Sequence, residues 1–330
     1  MRFARKERGM TEILPPTPGG IARAAAMLDD GQIVAFGTET VYGLGADATN
    51  GVAVTGVFAA KGRPDFNPLI CHYASADAAF MDVVASATAH RLAELFWPGP
   101  LTLVLPRRAD CRVSSLAGAG LPSLAVRVPS HPVALALLGA FGGPVAAPSA
   151  NLSGHVSPTS VVHVLAGLSG KIAAILDSGP CRVGLESTVL DLCGPSPTLL
   201  RPGGVALEAL EAAIGPVQRQ PLAAGHAIRA PGMLRSHYAP ALPLRTLADD
   251  VGPHEALLAF GPPLPGAGLV FQLSEAMDLP VAAARLFEGL RWLDEQASAH
   301  GVTGIAAMRI PDSGLGRAIN DRLGRAAAPR

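Results

Sequence analysis

Lys61, Gly62 and Arg63 set two cations on either side of a glycine, an arrangement suited to gripping a carboxylate or a polyphosphate. They belong to a dense stretch, residues 37–72, reading GTETVYGLGADATN and later KGRPDFNPLICH. An apolar run at 33–36 leads into it. Strand ends followed by Gly-rich turns let backbone N–H groups and short polar side chains meet an anion. A second loop, PSANLSGHVSP at 148–158, carries Ser149, Asn151, Ser153 and Ser157 around Gly154. Hydroxyls and amides of this kind bind phosphate oxygens or the water of a Mg²⁺ ion. Arg127 lies inside the apolar run LAVRV, where a cation must be paired or meet an anion. Thr38, Glu39 and Thr40 follow one apolar run and His72 ends another. Ser187 and Thr188 after Glu186, and Arg201 in LRPGG, repeat the pattern of a polar group closing an apolar run. Each piece alone also fits a solvated turn, Ser/Asn turn chemistry, a strand-end cap or a core histidine.

No GxSxG, HExxH, Walker or GxGxxG motif is present, so a catalytic triad is not supported. Arg63, Arg127 and Arg201 beside hydroxyl loops point to positioning of anionic reactants, with electrostatic relief of charge in the transition state.

Hydrophobic patterning predicts the elements that must hold these groups. Helices are expected over 21–30, 52–61, 90–96, 132–138, 160–165 and 207–214, and strands over 33–36, 68–73, 101–106, 124–128, 144–147, 172–177, 187–192 and 198–201. Strands and helices mix without a strict βαβ repeat, which favours a mixed α/β sheet over a doubly wound one. Residues 1–18 read as a flexible tail, 19–215 as the main domain and 216–240 as a linker able to cross its surface. The stretch 242–265 is Pro-rich. A strand over 268–273, an amphipathic helix over 281–297, a strand over 305–309 and a helix over 314–327 imply a second, small α/β domain at 241–330.

Equal numbers of Lys+Arg and Asp+Glu, 26 each, give no global pull toward nucleic acid or an anionic membrane. Cys71, Cys111, Cys181 and Cys193 form no metal-like pair and are expected to be reduced and buried, which fits a cytoplasmic protein. The basic N-terminus has no apolar segment after it, so no secretory signal is expected, nor is a membrane span.

TETVYGLGADA, KGRPDFNPL, PSANLSG with SPT, ESTVLD and LRPGG, in this order, resemble the YrdC-like domain of the threonylcarbamoyl-AMP synthase family over roughly residues 19–215. APGMLRSHYAP resembles the linker of the long, two-domain form, and GLGRAINDRLGRAA the end of its C-terminal domain. The resemblance implies a YrdC-like twisted mixed sheet with a central, positively lined cavity, plus a small Rossmann-like C-terminal domain. It implies condensation of L-threonine, bicarbonate and ATP into L-threonylcarbamoyladenylate and pyrophosphate with Mg²⁺. The product would pass to a threonylcarbamoyl transferase that modifies adenosine 37 of tRNA, so tRNA is met indirectly.

Carried over by position, Lys61 and Arg63 resemble the catalytic cation pair. Arg63, Asn67, Ser123, Ser149, Asn151, Ser157, Arg201, His237 and Tyr238 resemble ATP contacts, the last two reaching back from the linker to close the cavity. Thr40, His72, Arg127, Ala147 and Ser187 resemble threonine contacts. Mg²⁺ would be held through ATP, with Ser149 and Asn151 as possible contacts. Gly37 stands where the family favours Pro, Ser123 where it often has Thr, and Ala230 where it often has Ser. Two other functions compete: carbamoyl-adenylate formation in metallocentre maturation, whose acylphosphatase-like and zinc modules are absent from this sequence, and a non-enzymatic RNA-binding module, which zero net charge and few aromatics disfavour.

Overall fold

The central feature is a mixed sheet that runs the length of the N-terminal two thirds. In the computed structural model, residues 10–219 and 236–329 are described. The N-terminal unit runs β1 (Glu12–Leu14), α1 (Pro18–Asp29), β2 (Val34–Gly37), β3 (Tyr42–Asp47), α2 (Gly51–Lys61), β4 (Ile70–His72), α3 (Ala76–Phe80), α4 (Ala87–Phe96), β5 (Leu101–Pro106), β6 (Ser123–Arg127), α5 (Pro132–Phe141), β7 (Val145–Ala146), α6 (Val161–Leu168), β8 (Ala174–Leu176), β9 (Thr188–Asp191), β10 (Thr198–Arg201), α7 (Leu207–Ile214) and β11 (Gln218–Arg219). The C-terminal unit follows with β12 (Leu244–Ala248), β13 (Glu255–Phe260), β14 (Val270–Ser274), α8 (Leu279–His300), β15 (Gly304–Met308) and α9 (Gly316–Ala326).

The large sheet has the order β1-β8-β2-β3-β7-β4-β6-β5-β9-β10-β11. Parallel pairs (β4 with β6, β5 with β9) and antiparallel ones (β3 with β7, β5 with β6) both occur, as expected of a mixed sheet. The second sheet, β12-β15-β13-β14, is parallel throughout.

Three expectations are corrected. Residues 12–14, assigned to a flexible tail, form β1 and pair in parallel with β8, which satisfies backbone groups that a tail would leave to water. YGLGAD, assigned to a Gly-rich anion-binding turn, is strand β3. Its glycines allow close packing: a Cβ on Gly45 would stand 2.8 Å from the Phe36 ring, and one on Gly43 would stand 3.2 Å from Ala147 Cβ. The Pro-rich stretch 242–265 holds β12 and β13, whose residues alternate too little with polar ones to announce a strand. Of the linker expected over 216–240, residues 220–235 lie outside the described residues. Cys193 is exposed and Cys111 half-buried, because each lies in a loop beyond a strand; Cys71 and Cys181 are buried, and all four are free thiols.

Helix α2 shows why the cation pair is spaced as it is. Asn50 caps its start by accepting from the N–H groups of Val52 and Ala53. Gly62 ends it in the left-handed conformation (φ 59°), the usual C-terminal stop. Lys61 is therefore the last helical residue and Arg63 the first to leave in a new direction.

Strand alternation sets the working face. His72 pairs with Arg127 and Ile70 with Ala125, so these four side chains share one side of the sheet. The same side carries an apolar strip of Ile70, Val104, Ala125, Val189 and Leu200.

The two units share a core. Val41, Val156, Leu185 and Tyr238 pack in one cluster with α8 and α9 residues, including Phe287, Leu290 and Leu323. Gly184 (φ 70°) lies so close to α8 that a Cβ there would stand 2.5 Å from Ala284 Cα.

Candidate active site

At one end of the working face, β2, β4, β6 and β10 end and β9 begins around a single cavity. It is lined by Thr38, Thr40, His72, Arg127, Ala147, Ser149 and Ser187 together with Arg63, Glu186, Arg201, His237 and Tyr238. The space measures about 500 Å³, counting the part open to solvent. Ten of the residues picked out from the sequence thus meet, although they span positions 40 to 238.

The first half is built on Arg127. Its Nη2 donates to Glu39 Oε1 at 2.7 Å and its Nη1 to Thr40 Oγ1 at 3.0 Å. The second Glu39 oxygen accepts from the Ser130 N–H. Thr38 Oγ1 donates to the Val41 carbonyl, so the Thr40 hydroxyl donates to Thr38 Oγ1 at 2.7 Å while accepting from Arg127. Thr40 lines the cavity and keeps one acceptor site beyond its bond from Arg127. His72 is pushed down to about 3 by burial and by the nearby Arg127 cation, and is a neutral imidazole at pH 7. Its Nδ1 stands 3.2 Å from the Ile70 carbonyl, which favours the tautomer that leaves Nε2 as an acceptor. The Ala147 N–H donates to the Ile70 carbonyl, so what this backbone can offer a ligand is its carbonyl.

The second half is cationic. Arg63 Nε and Nη2 donate to the carbonyls of Asn67 and Pro68, and burial lowers the guanidinium to about 10. Arg201 donates to the Ser187 carbonyl at 2.8 Å, and the Ser187 hydroxyl lies 2.7 Å from the Thr102 hydroxyl. His237 is buried and lowered to about 3 by its surroundings, with Lys61, Arg63 and Arg201 all disfavouring its cation. Tyr238 holds a left-handed backbone (φ 63°) and stacks on Phe287 of α8.

Five expected contacts stand elsewhere. Lys61 parts from Arg63: its buried Nζ donates to the carbonyls of Ser149 and Asn151, and burial pushes its pKa well down. It grips the PSAN loop, so a phosphate contact would require leaving those carbonyls. Asn67 is fully buried beside Arg63, and neither side-chain amide atom has a partner. Asn151 donates to the Leu152 and His155 carbonyls, while its buried Oδ1 accepts nothing. Ser157 donates to Glu186 Oε1 at 2.5 Å. Ser123 is half-buried at the start of β6, on the same face as Arg127 but about 13 Å along the strand. Gly37 has a local reason to differ from Pro: its N–H donates to Ser178 Oγ, and a Cβ would stand 2.7 Å from Ser178 Cβ.

Two carboxylates have roles that residue spacing does not show. Glu39 is the buried partner of Arg127. Glu186 is a buried carboxylate in a cationic wall, and Arg322 of α9 holds it at 2.8 Å. Burial alone would raise the Glu186 carboxyl; Arg322 and then Arg201 outweigh that and hold it below the usual range. The run ESTV contained the signal for Glu186, but its partner lies 136 positions away.

Comparison with known proteins identifies the family. Residues 26–203 match the family described as "Telomere recombination" (Sua5, YciO, YrdC), and residues 205–328 match "Threonylcarbamoyl-AMP synthase, C-terminal domain". The chain is 42% identical to threonylcarbamoyl-AMP synthase of Bacillus subtilis, covering 97% of this chain and 96% of the relative. It is 41% identical to that of Pyrococcus abyssi over 93% and 94%. The solved structure of P. abyssi Sua5 complexed with L-threonine superposes with a TM-score of 0.88 at 38% identity, over 97% of this chain and 98% of that one. Among the described residues no helix is long and apolar enough to cross a membrane. A two-part match to family models, relatives above 40% identity over nearly the whole chain and a shared fold lead to one conclusion: the chain belongs to the threonylcarbamoyl-AMP synthase family, in its two-domain form, and is an enzyme that forms an adenylate.

Proposed function

We propose that the chain condenses L-threonine, bicarbonate and ATP into L-threonylcarbamoyl-AMP and pyrophosphate, for the threonylcarbamoyl modification of adenosine 37 in tRNA. One observation carries this reading: a small neutral polar pocket (Thr40, His72, Ala147, Ser187) opens directly onto a cationic wall (Arg63, Arg201). The pocket suits an amino acid and the wall a polyphosphate. Threonine bound to the P. abyssi relative supports the first half.

In this reading the threonine ammonium gives its proton to water in a buried pocket beside Arg127, where burial and the neighbouring cation disfavour its charge. Bicarbonate loses hydroxide to give CO₂, the free amine attacks its carbon, the N–C bond forms as a C=O π bond opens, and a proton passes from nitrogen to that hydroxide, leaving an N-carboxylate and water. A carboxylate oxygen then attacks the α-phosphorus of ATP. The new P–O bond forms as the Pα–O–Pβ bond breaks, and pyrophosphate leaves with the electron pair. Both reactants are anions, so Arg63 and Arg201 lower their repulsion and hold them in line. Neutral His72 accepts a hydrogen bond from threonine without adding charge. The apolar strip from Ile70 to Leu200 lies where a nucleoside would extend from the phosphates toward Ser123. The adenylate is a mixed anhydride, so closure by His237 and Tyr238 would keep water out.

Mg²⁺ fits the donor set: the buried, unpartnered Asn151 Oδ1 and the Ser149 hydroxyl are hard oxygen donors of the kind that hold the water of a Mg²⁺–nucleotide. When bound, the ion screens the phosphate charge. The product would be handed to a threonylcarbamoyl transferase in the cytoplasm.

The test is pyrophosphate release measured with each substrate withheld in turn. Release is expected to require threonine, bicarbonate and ATP together. Release with carbamoyl phosphate in place of threonine and bicarbonate would favour a metallocentre-maturation activity instead.

A further inference from the structure

Arg322 is the largest fully buried side chain of the described residues, and it belongs to α9 of the C-terminal unit. Its Nε donates to Glu186 Oε2 at 2.8 Å, and its Nη1 donates to the Pro202 carbonyl at 2.8 Å and to Asp321 at 2.7 Å. Its guanidinium lies 5.1 Å from the centre of the Tyr238 ring, a cation–π distance. Glu186, Pro202 and Tyr238 sit on three separate segments around the cavity. One arginine from outside the catalytic sheet ties all three together.

The electrostatics give this tie a purpose. A carboxylate in a wall that must receive polyphosphate competes with it for cations and repels it. Glu186 is that carboxylate, and Arg201 stands near enough to help hold it ionised. Arg322 approaches Glu186 from the C-terminal unit and satisfies one oxygen, while Ser157 satisfies the other. With both oxygens engaged and an arginine beside it, Glu186 offsets less of the wall's positive charge.

We propose that Arg322 is a positioning residue of the active site, which neutralises Glu186 so that the cavity wall keeps its positive charge toward the nucleotide. The C-terminal unit thereby sets ATP affinity without touching ATP. The inference rests on the proposed use of ATP at this cavity.

The test is a charge-rescue comparison read by threonine-dependent pyrophosphate release. R322M is expected to raise KM for ATP about tenfold or more while KM for threonine changes less than about threefold. R322K, which keeps the charge, is expected to stay within about threefold of wild type for ATP. The double variant R322M/E186Q removes both charges and is expected to return KM for ATP to within about threefold of wild type. A purely structural role would not be rescued by E186Q. Equal impairment of R322M and the double variant, a parallel rise of both KM values, or a wild-type KM in R322M would overturn the proposal. Should R322M fail to fold, E186Q alone carries the test: it is expected to lower KM for ATP, and an unchanged or raised value overturns the proposal. Failure of the wild type to need threonine and bicarbonate would instead overturn the reaction assignment, whatever Arg322 does.

Discussion

Arg127 Nη2 and Glu39 Oε1 meet at 2.7 Å in the interior, with both side chains almost wholly buried. The pair comes from β6 and from the turn after β2, which the sheet order separates by several strands. It settles a question that the sequence left open, whether Arg127 is paired or awaits an anion. Arg127 is paired through one nitrogen, and a second nitrogen orients Thr40.

Removing one member of this pair leaves the other charge buried and unmatched. Arg127→Met is expected to cost about 3–5 kcal/mol of stability. Urea denaturation followed by circular dichroism measures it. A loss below about 1 kcal/mol would mean that water reaches Glu39.

Thr40 donates to Thr38 and accepts from Arg127, so its orientation is fixed before any ligand arrives. Thr40→Val keeps the shape and removes the hydroxyl. KM for threonine is expected to rise about tenfold, near the worth of one hydrogen bond, with KM for ATP little changed. Steady-state kinetics with each substrate varied separates the two, and a rise confined to ATP would place threonine elsewhere.

His72 has an ordinary value of 6.5 and sits near 3 in the folded protein. Between those values the unfolded chain binds the extra proton. Stability therefore rises with pH across this window: it is intact above about 6.5 and is lost progressively as pH falls toward 3. His72→Gln removes this contribution. The slope of stability against pH should be shallower in the variant by up to about 1.4 kcal/mol per pH unit. Chemical denaturation at a series of pH values reads the slopes, and equal slopes would show that His72 is charged or exposed.

Gly184 meets α8 at a distance that leaves no room for a side chain, whereas Gly179, also left-handed at φ 71°, has nothing within 4 Å of its missing Cβ. Gly179→Ala should cost about 1–2 kcal/mol through backbone strain alone. Gly184→Ala should cost more and should raise hydrogen exchange in α8 and α9, because the C-terminal unit must shift to admit the methyl group. The same exchange pattern in both variants would show that the contact at Gly184 does not hold the units together.

The sequence by itself determined the local elements and the inventory of the site. Apolar runs placed most strands, and Asn50 and Gly62 bounded α2 and thereby spaced Lys61 from Arg63. Motif order alone groups Thr40, His72, Arg127, Ser187 and Arg201, which all line the cavity. YGLGAD misled because a glycine required for close strand packing looks, in a one-dimensional reading, like a glycine required for a turn. Tertiary structure decided the partnerships. Lys61 turned to the carbonyls of the PSAN loop, Arg127 found Glu39 88 positions away and Glu186 found Arg322 136 positions away. Strand register and the docking of the second unit set these meetings, and both depend on contacts between distant segments that residue spacing along the chain does not encode.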